Sequence, residues 1–281
     1  VKNIPVPRWL DRSLGLLAFV YLAVAVLLSS MGSSFLICRY DPFVRVFRLT
    51  GSFGMILFAA SFLLIGTIIG RPYCRYLCPY GALLGFVSRF AKWHVSIAPD
   101  TCIRCRLCES SCPFAAILEP TFEEEKKDPA GRRRVKRRVA LAVLLFPFWL
   151  ISFWWIGKVS APFLARDHPT VLLAERIYQE ESGIVEGTTD ASKAFRATGE
   201  PIESLYKRAA DLEEKFEKGS SLAGLFVGLV TALTFLSLCI PSYRTEYTTD
   251  RAVCVSCGRC FSACPLELKR LKKIGKNLEI R

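Results

Sequence analysis

The sequence predicts a mainly α-helical membrane protein in which four transmembrane helices interrupt a small domain assembled from two separated halves. Three observations carry this prediction. The 281-residue chain is 52% hydrophobic, with a mean hydropathy of +0.31. Its apolar residues gather into four charge-free runs, and its basic residues gather between alternate runs. Eight of its 12 cysteines form two copies of one pattern.

The runs are Ser13 to Cys38, Leu49 to Gly70, Val139 to Gly157 and Gly219 to Tyr243. Each approaches or exceeds the ~20 residues that cross a bilayer as helix. Four core helices of this kind would need a soluble remainder large enough to cover every face, and the rest of the chain is too small for that. Trp9, Trp149, Trp154, Trp155 and Tyr243 fall near run ends, where interfacial anchors belong. The first run is too long for a signal peptide and shows no cleavage site.

Charge sets the orientation. Residues 71–138 hold 14 Lys/Arg against 7 Asp/Glu, and residues 241–281 hold 9 against 4, whereas residues 158–218 hold 9 against 12. Basic loops stay inside, so the chain divides into two first spans (1–70), a cytoplasmic segment (71–138), a third span (139–157), an outer segment (158–218), a fourth span (219–243) and a cytoplasmic end (244–281). Both termini are then cytoplasmic, in the inner membrane of a bacterium or archaeon. The net charge of +13 is mostly this topology. Arg132, Arg133, Arg134, Lys136, Arg137 and Arg138 read as the inner flank of the third span. No nucleic-acid motif accompanies them, so no nucleic-acid partner is expected.

Each cytoplasmic segment carries one cysteine run: Cys102-x2-Cys105-x2-Cys108-x3-Cys112-Pro113 and Cys254-x2-Cys257-x2-Cys260-x3-Cys264-Pro265. This spacing wraps three thiolates round one [4Fe-4S] cube, while the cysteine before proline ligates the other cube. One cluster is then expected on Cys102, Cys105, Cys108 and Cys264, and the other on Cys254, Cys257, Cys260 and Cys112. Structural zinc is the alternative, since thiolate tetrads also hold it. Two crossings separate the copies and return the chain to one face, so a discontinuous two-cluster ferredoxin-like cytoplasmic domain is expected. A disulfide framework is disfavoured in a chain of this size.

Four cysteines remain. Cys74-x3-Cys78-Pro79 follows the second run, and on one helix the two thiols would share a face, beside Arg71 and Arg75, which lower thiol pKa values. Cys74 and Cys78 are a candidate third metal or redox site, with Cys239 or Cys38 as further ligands. For Cys239 a small buried hydrophobe is the competing reading. Cys38 lies in Ile37-Cys-Arg-Tyr-Asp-Pro-Phe43, a degenerate echo of Tyr73 to Tyr80, and counting places it at the outer edge.

From Arg71 to Gly85 and through both cysteine runs, the chain resembles the membrane-bound polyferredoxins. These include the nitrous oxide reductase accessory protein (NosR type) and the quinol dehydrogenase subunit of periplasmic nitrate reduction (NapH type). The resemblance implies a membrane core of four or more helices, Cys-x3-Cys-Pro motifs, and two cytoplasmic [4Fe-4S] clusters that pass electrons toward periplasmic enzymes. Two departures stand out: Cys38 lacks a partner cysteine, and residues 1–12 hold no flavin-binding domain before the first run, so a flavin-bearing periplasmic subunit is the expected partner.

Other chemistry is not expected. His94 and His168, the two histidines, both lie outside the runs, which disfavours intramembrane haem, and no Cys-x-x-Cys-His, dinucleotide or P-loop motif occurs. In the outer segment, Gly187-Thr-Thr-Asp190 reads as a helix cap. Val171, Ala174, Ile177 and Tyr178 mark one helix, and Ile202, Leu205, Tyr206, Ala209, Leu212 and Phe216 mark a second that stops at Gly219. Its stripe docks either a periplasmic partner or its own neighbour. The resulting expectation is an integral membrane iron-sulfur electron-transfer subunit of a redox complex, linking a cytoplasmic partner such as a ferredoxin or flavodoxin with quinone/quinol or a periplasmic partner. The alternatives are a membrane metal-handling or maturation protein that uses the membrane thiols, and a scaffold whose clusters only hold the halves together.

Overall fold

The computed structural model describes residues 6–33, 41–48, 52–97, 102–121, 129–240, 244 and 246–270. In chain order these form α1 (Arg8–Ser30), α2 (Pro42–Phe47), α3 (Phe53–Gly66), α4 (Pro72–Tyr76), α5 (Pro79–Ser88), α6 (Leu107–Ser111), β1 (Ile117–Leu118), α7 (Pro129–Ala165), α8 (Pro169–Glu181), α9 (Asp190–Ala197), α10 (Ile202–Cys239), β2 (Thr248–Thr249) and α11 (Arg259–Ala263). A further helical stretch covers 265–270. Two compact units result: one of residues 1–18, 60–141 and 236–281, the other of residues 19–59 and 142–235.

Among the described residues, three helices are long and apolar enough to cross a membrane: Trp9–Ser30, Arg133–Ala165 and Ile202–Cys239. The span expected at Leu49 to Gly70 is instead the 14-residue helix α3. At 1.5 Å per residue it reaches about 21 Å, short of the ~30 Å hydrocarbon core. Its end has a local cause. The Thr67 and Ile68 amides close tight turns onto the Leu64 and Ile65 carbonyls, and the Thr67 hydroxyl donates to Leu64 as well. Pro72 follows, and a residue before proline is pushed out of helical conformation.

The other expected boundaries also shift. α7 extends well beyond 139–157 at both ends, and α10 fuses the expected outer helix with the fourth span. Gly219 therefore does not stop a helix. A Cβ there would lie 2.6 Å from Leu27 Cδ1 and 2.8 Å from Met31 Cε, so the glycine admits neighbouring side chains.

Within the second unit, α7 and α10 approach backbone to backbone. A Cβ on Gly157 would collide with the Ser220 carbonyl oxygen, one on Gly224 with the Phe153 carbonyl oxygen, and one on Gly228 would come within 3.0 Å of the Trp149 oxygen. Ser220, Gly224 and Gly228 recur every fourth residue, which puts them on one helix face. Small residues at this spacing let apolar helices pack closely where lipid offers no hydrophobic drive to associate.

Helices α8 and α9 and the first part of α10 bury their stripes on one another. Val171, Ala174, Ile177, Phe195, Leu205 and Ala209 form one core, against which Ile202, Tyr206 and Leu212 pack. Tyr178 stays exposed. The stripe at the start of α10 is thus used internally. Thr189 caps α9 with a reciprocal Ser192 bond, as the cap reading expected. Glu180 ties α8 to α9 through Ser192 Oγ at 2.8 Å and Arg196 at 3.1 Å. Burial works to raise the pKa of this carboxyl, but bonds from Ser192, Thr189 and Arg176 outweigh it and leave it below the ordinary range.

Substituting Gly224 with leucine should lower the stability of the detergent-solubilised chain by about 1–3 kcal/mol, the usual cost of overpacking. Gly15, with nothing within 4 Å of its Cβ position, should accept alanine without loss. Thermal melts followed by circular dichroism would compare the two; equal effects would deny the close helix contact its role.

Candidate functional site

The two cysteine runs fold as two copies of one turn. The residue before the second cysteine is left-handed in both copies, Arg104 (φ 52°) and Ser256 (φ 54°), as is the residue after it, Arg106 (φ 60°) and Gly258 (φ 74°). A five-residue helix follows each, α6 and α11. Each ends on an extended cysteine before proline, Cys112 (φ −80°, ψ 110°) and Cys264 (φ −83°, ψ 116°). Glycine adopts the left-handed region freely, whereas arginine and serine do so at a cost the surroundings must offset. Alternating left- and right-handed residues is the backbone pattern that turns successive N–H groups into a concavity for an anion, including at Fe–S sites.

The copies meet although about 150 residues separate them. β1 pairs antiparallel with β2, Ile117 opposite Thr249 and Leu118 opposite Thr248. The Asp250 amide donates to the Ala116 carbonyl at 2.7 Å, Thr249 Oγ1 to the Val95 carbonyl at 2.5 Å, and the Thr121 amide to the Arg244 carbonyl at 2.9 Å. α6 packs on α11. Under them, buried Ile97, Ile117 and Tyr247 form a small core against which Cys108, Cys112 and Cys260 lie.

Cys112 sits with the thiols of the other copy. It lines a small cavity of about 20 Å³ together with Cys254, Cys257 and Cys260, walled by Val95, Phe114 and Ile117. Cys112 and Cys254 are the near thiols that, after burial, push the Cys260 thiol up; Cys105 and Cys102 do the same to Cys108, again after burial. Cys112 of the first copy thus lines the same cavity as three thiols of the second. Cys264 ends α11 in an extended conformation and is not among the residues lining this cavity. Among the described residues no three His, Cys, Asp or Glu side chains converge on a point as a single ion requires. Four thiols and an apolar wall round one cavity suit the donor set of an iron-sulfur cluster.

Cys74 and Cys78 do not share a helix face. Cys74 lies within α4, while Cys78 is the extended residue that precedes α5, because Pro79 disfavours the helical region for it. A Cβ on Gly81 would collide with the Cys74 carbonyl oxygen, so this glycine lets the two short helices fold together. Cys74 is exposed and Cys78 half-buried. Cys239 ends α10 half-buried and joins no ligating group among the described residues. Cys38 lies outside the described residues.

The arginines of this motif are directed elsewhere. Arg75 Nε pairs with Asp11 of α1 at 2.6 Å, its Nη1 donates to the Phe114 carbonyl at 3.1 Å, and the Tyr76 hydroxyl donates to Asp11 at 2.8 Å. The Arg71 guanidinium stacks over the Phe114 ring at 5.0 Å. Burial first, then the bond to Asp11, pushes the Tyr76 hydroxyl up to about 12 against the opposing charge of Arg75, so it stays a neutral donor. Phe114 belongs to the cavity wall, and this node connects the Cys74 motif to it. Sequence reasoning missed the node; its signal was an acid, Asp11, two residues before an apolar run. Also missed was Glu109, beside Cys108, whose carboxyl is raised by burial and then by Glu119.

Residues 50–98, 95–118 and 251–267 each match a family described as a 4Fe-4S binding domain. This agrees with a polyferredoxin-like 4Fe-4S membrane protein. The first match holds only two cysteines, Cys74 and Cys78. Among relatives, the chain is 34% identical over 137 residues to "Protein NirI" of Paracoccus denitrificans, covering 47% of this chain and 19% of that one. It is 34% identical over 136 residues to "Putative electron transport protein YccM" of Escherichia coli, 44% and 38% of the two chains. With "Methylamine utilization ferredoxin-type protein MauN" of Paracoccus denitrificans it shares 38% over 65 residues, 23% of each chain. The aligned stretch is thus less than half of each relative's length. No solved structure matches the chain.

Arg75 and Asp11 are 16% and 21% exposed, so removing one partner leaves a largely buried charge behind. Arg75→Ala should destabilise the first unit by on the order of 2–3 kcal/mol, somewhat under the cost of breaking a fully buried pair. Arg75→Lys should recover part of this, since the ion pair returns without the fork that also reaches Phe114. Denaturation of the solubilised protein, followed by the Tyr76 environment, measures both; an unchanged midpoint in Arg75→Ala would show the node to be incidental.

Proposed function

We propose that this chain is an integral membrane iron-sulfur electron-transfer subunit, linking a cytoplasmic redox partner with quinone/quinol or a periplasmic redox partner. The observation that carries the reading is the cavity that joins Cys112 of one half to Cys254, Cys257 and Cys260 of the other. The relatives' names, an electron transport protein and a ferredoxin-type protein, support it.

In this reading two [4Fe-4S] clusters are held, one by Cys254, Cys257, Cys260 and Cys112, the other by Cys102, Cys105, Cys108 and Cys264. Bound there, each supplies reversible one-electron oxidation and reduction, at a potential set by hydrogen bonds and exposure. The chain's own residues do the rest. Cys112 Sγ accepts from the Ala116 amide at 3.4 Å, which helps to fix where it points. Ile97, Ile117 and Tyr247 keep water from the buried side, and the left-handed residues fix where each thiol points.

The topology we propose has four crossings, with α3 within the second and both termini cytoplasmic. It is supported by the positive-inside pattern and by the sharing of one compact unit by both cysteine runs, since α7 and α10 are the two membrane-length helices between them. A ferredoxin or flavodoxin on the basic cytoplasmic face and a flavin-bearing periplasmic subunit complete the proposed complex. The exposed Cys74, inside a 4Fe-4S match with too few thiols for a cluster of its own, favours a second reading in which Cys74 and Cys78, with Cys239 or Cys38, handle a metal.

An anaerobic redox titration of the solubilised protein, read by EPR with iron and sulfide counted in the same sample, tests the proposal. About eight irons per chain and two interacting one-electron signals are expected, as in two-cluster ferredoxins. Zinc in place of iron, or clusters silent at every potential, would remove electron transfer.

A further inference from the structure

Helix α5 is built inside out for a water-facing helix. Its small residues point into the protein: Gly81 lies against the Cys74 carbonyl, a Cβ on Gly85 would be 3.4 Å from the Ala252 carbonyl, and Ser88 Oγ donates to the Arg251 carbonyl at 2.9 Å. These positions are four and three residues apart and form one stripe. The remaining surface carries large apolar side chains at the same helical spacing, Tyr80, Leu83, Leu84 and Val87, all exposed. It continues into the turn that follows, where Phe90 is 74% and Trp93 94% exposed. A soluble protein rarely presents so large a contiguous apolar patch to water.

The depth of the helix is fixed by its neighbours. α4 is hooked by Arg75 and Tyr76 to Asp11, in the first turn of the membrane-length helix α1, where Trp9 is 64% exposed. α5 begins three residues after α4 and rests on Cys74, so it lies level with the end of a span rather than its middle. Two exposed cations, Arg89 and Lys92, stand beside Phe90 and Trp93. Apolar side chains, a terminal tryptophan and flanking cations are the composition of a segment lying in the headgroup region of an anionic bilayer.

We infer that α5 and the turn after it, residues 79–93, form an interfacial membrane helix: Tyr80, Leu83, Leu84, Val87, Phe90 and Trp93 enter the lipid, and Arg89 and Lys92 meet anionic phospholipid headgroups. The second copy of the turn, Arg251 and Ala252, rides on the protein side of this helix, so the bilayer surface holds the cysteine-bearing unit by a contact independent of its spans. This inference stands whether or not the thiols hold iron.

The test places the photoreactive residue p-benzoylphenylalanine at position 90, at position 87 as a second variant, and at exposed Ile103 as a control, each in the full chain. The variants are illuminated in native membranes and in nanodiscs containing phosphatidylglycerol, and adducts are identified by mass spectrometry. Phospholipid adducts at 90 and 87, several-fold above those at 103, are the expected result. Adducts to a second copy or to another protein, no adduct at either position, or lipid adducts equal to those at Ile103 would each overturn the inference.

Discussion

Everything in the first unit depends on one long-range contact, the meeting of two cysteine-bearing turns about 150 residues apart. The protein forces holding them are modest: a strand pair of two residues each, a few main-chain hydrogen bonds, and a core of Ile97, Ile117 and Tyr247. A two-stranded ribbon this short is not stable on its own in water. The proposed ligand exchange explains how so little chain suffices. If Cys112 reaches into the other half's thiols and Cys264 reaches back, metal bonds cross the gap twice, and metal binding becomes folding free energy.

The cysteine runs were legible because ligand spacing is local: two to three residues between thiols sets a turn whatever the rest of the chain does. The equality of the two copies extends to backbone, with left-handed residues at matching places, although only Gly258 among them advertises it in the sequence. Three of the four apolar runs were legible as membrane-length helices among the described residues, and less so in their ends. Leu49 to Gly70 reads as a span by composition, yet Thr67 and Pro72 cut its helix at Gly66, a matter of side-chain bonds that hydropathy does not weigh. Gly219 reads as a stop and is instead a seat for Leu27 and Met31, which only the three-dimensional approach of α1 to α10 reveals.

Other features were not legible because they join residues with no sequence relation. Asp11, Arg75 and Tyr76 make one buried node across more than sixty positions, and Arg71 and Arg75 both engage Phe114 on the cavity wall. Arginines beside cysteines invite a local reading, in which they would activate the thiols. Their charges are spent on Asp11 and on an aromatic face. The same holds for α5, whose apolar residues look like an ordinary buried stripe until Gly81, Gly85 and Ser88 are seen to occupy the buried side. In the proposed electron-transfer subunit these contacts would hold the Cys74 motif, the cavity wall and the start of α1 as one rigid piece, and rigidity around a redox centre is what keeps its potential defined.

The central claim is that each half completes the other's cluster. Cysteine-to-alanine variants at 102, 254, 112 and 264, compared by low-temperature EPR of the reduced protein, test it most directly. The account predicts that Cys112→Ala loses the same signal as Cys254→Ala, and Cys264→Ala the same signal as Cys102→Ala. If Cys112→Ala instead loses the Cys102 signal and spares the Cys254 one, each half holds its own cluster and the account is wrong.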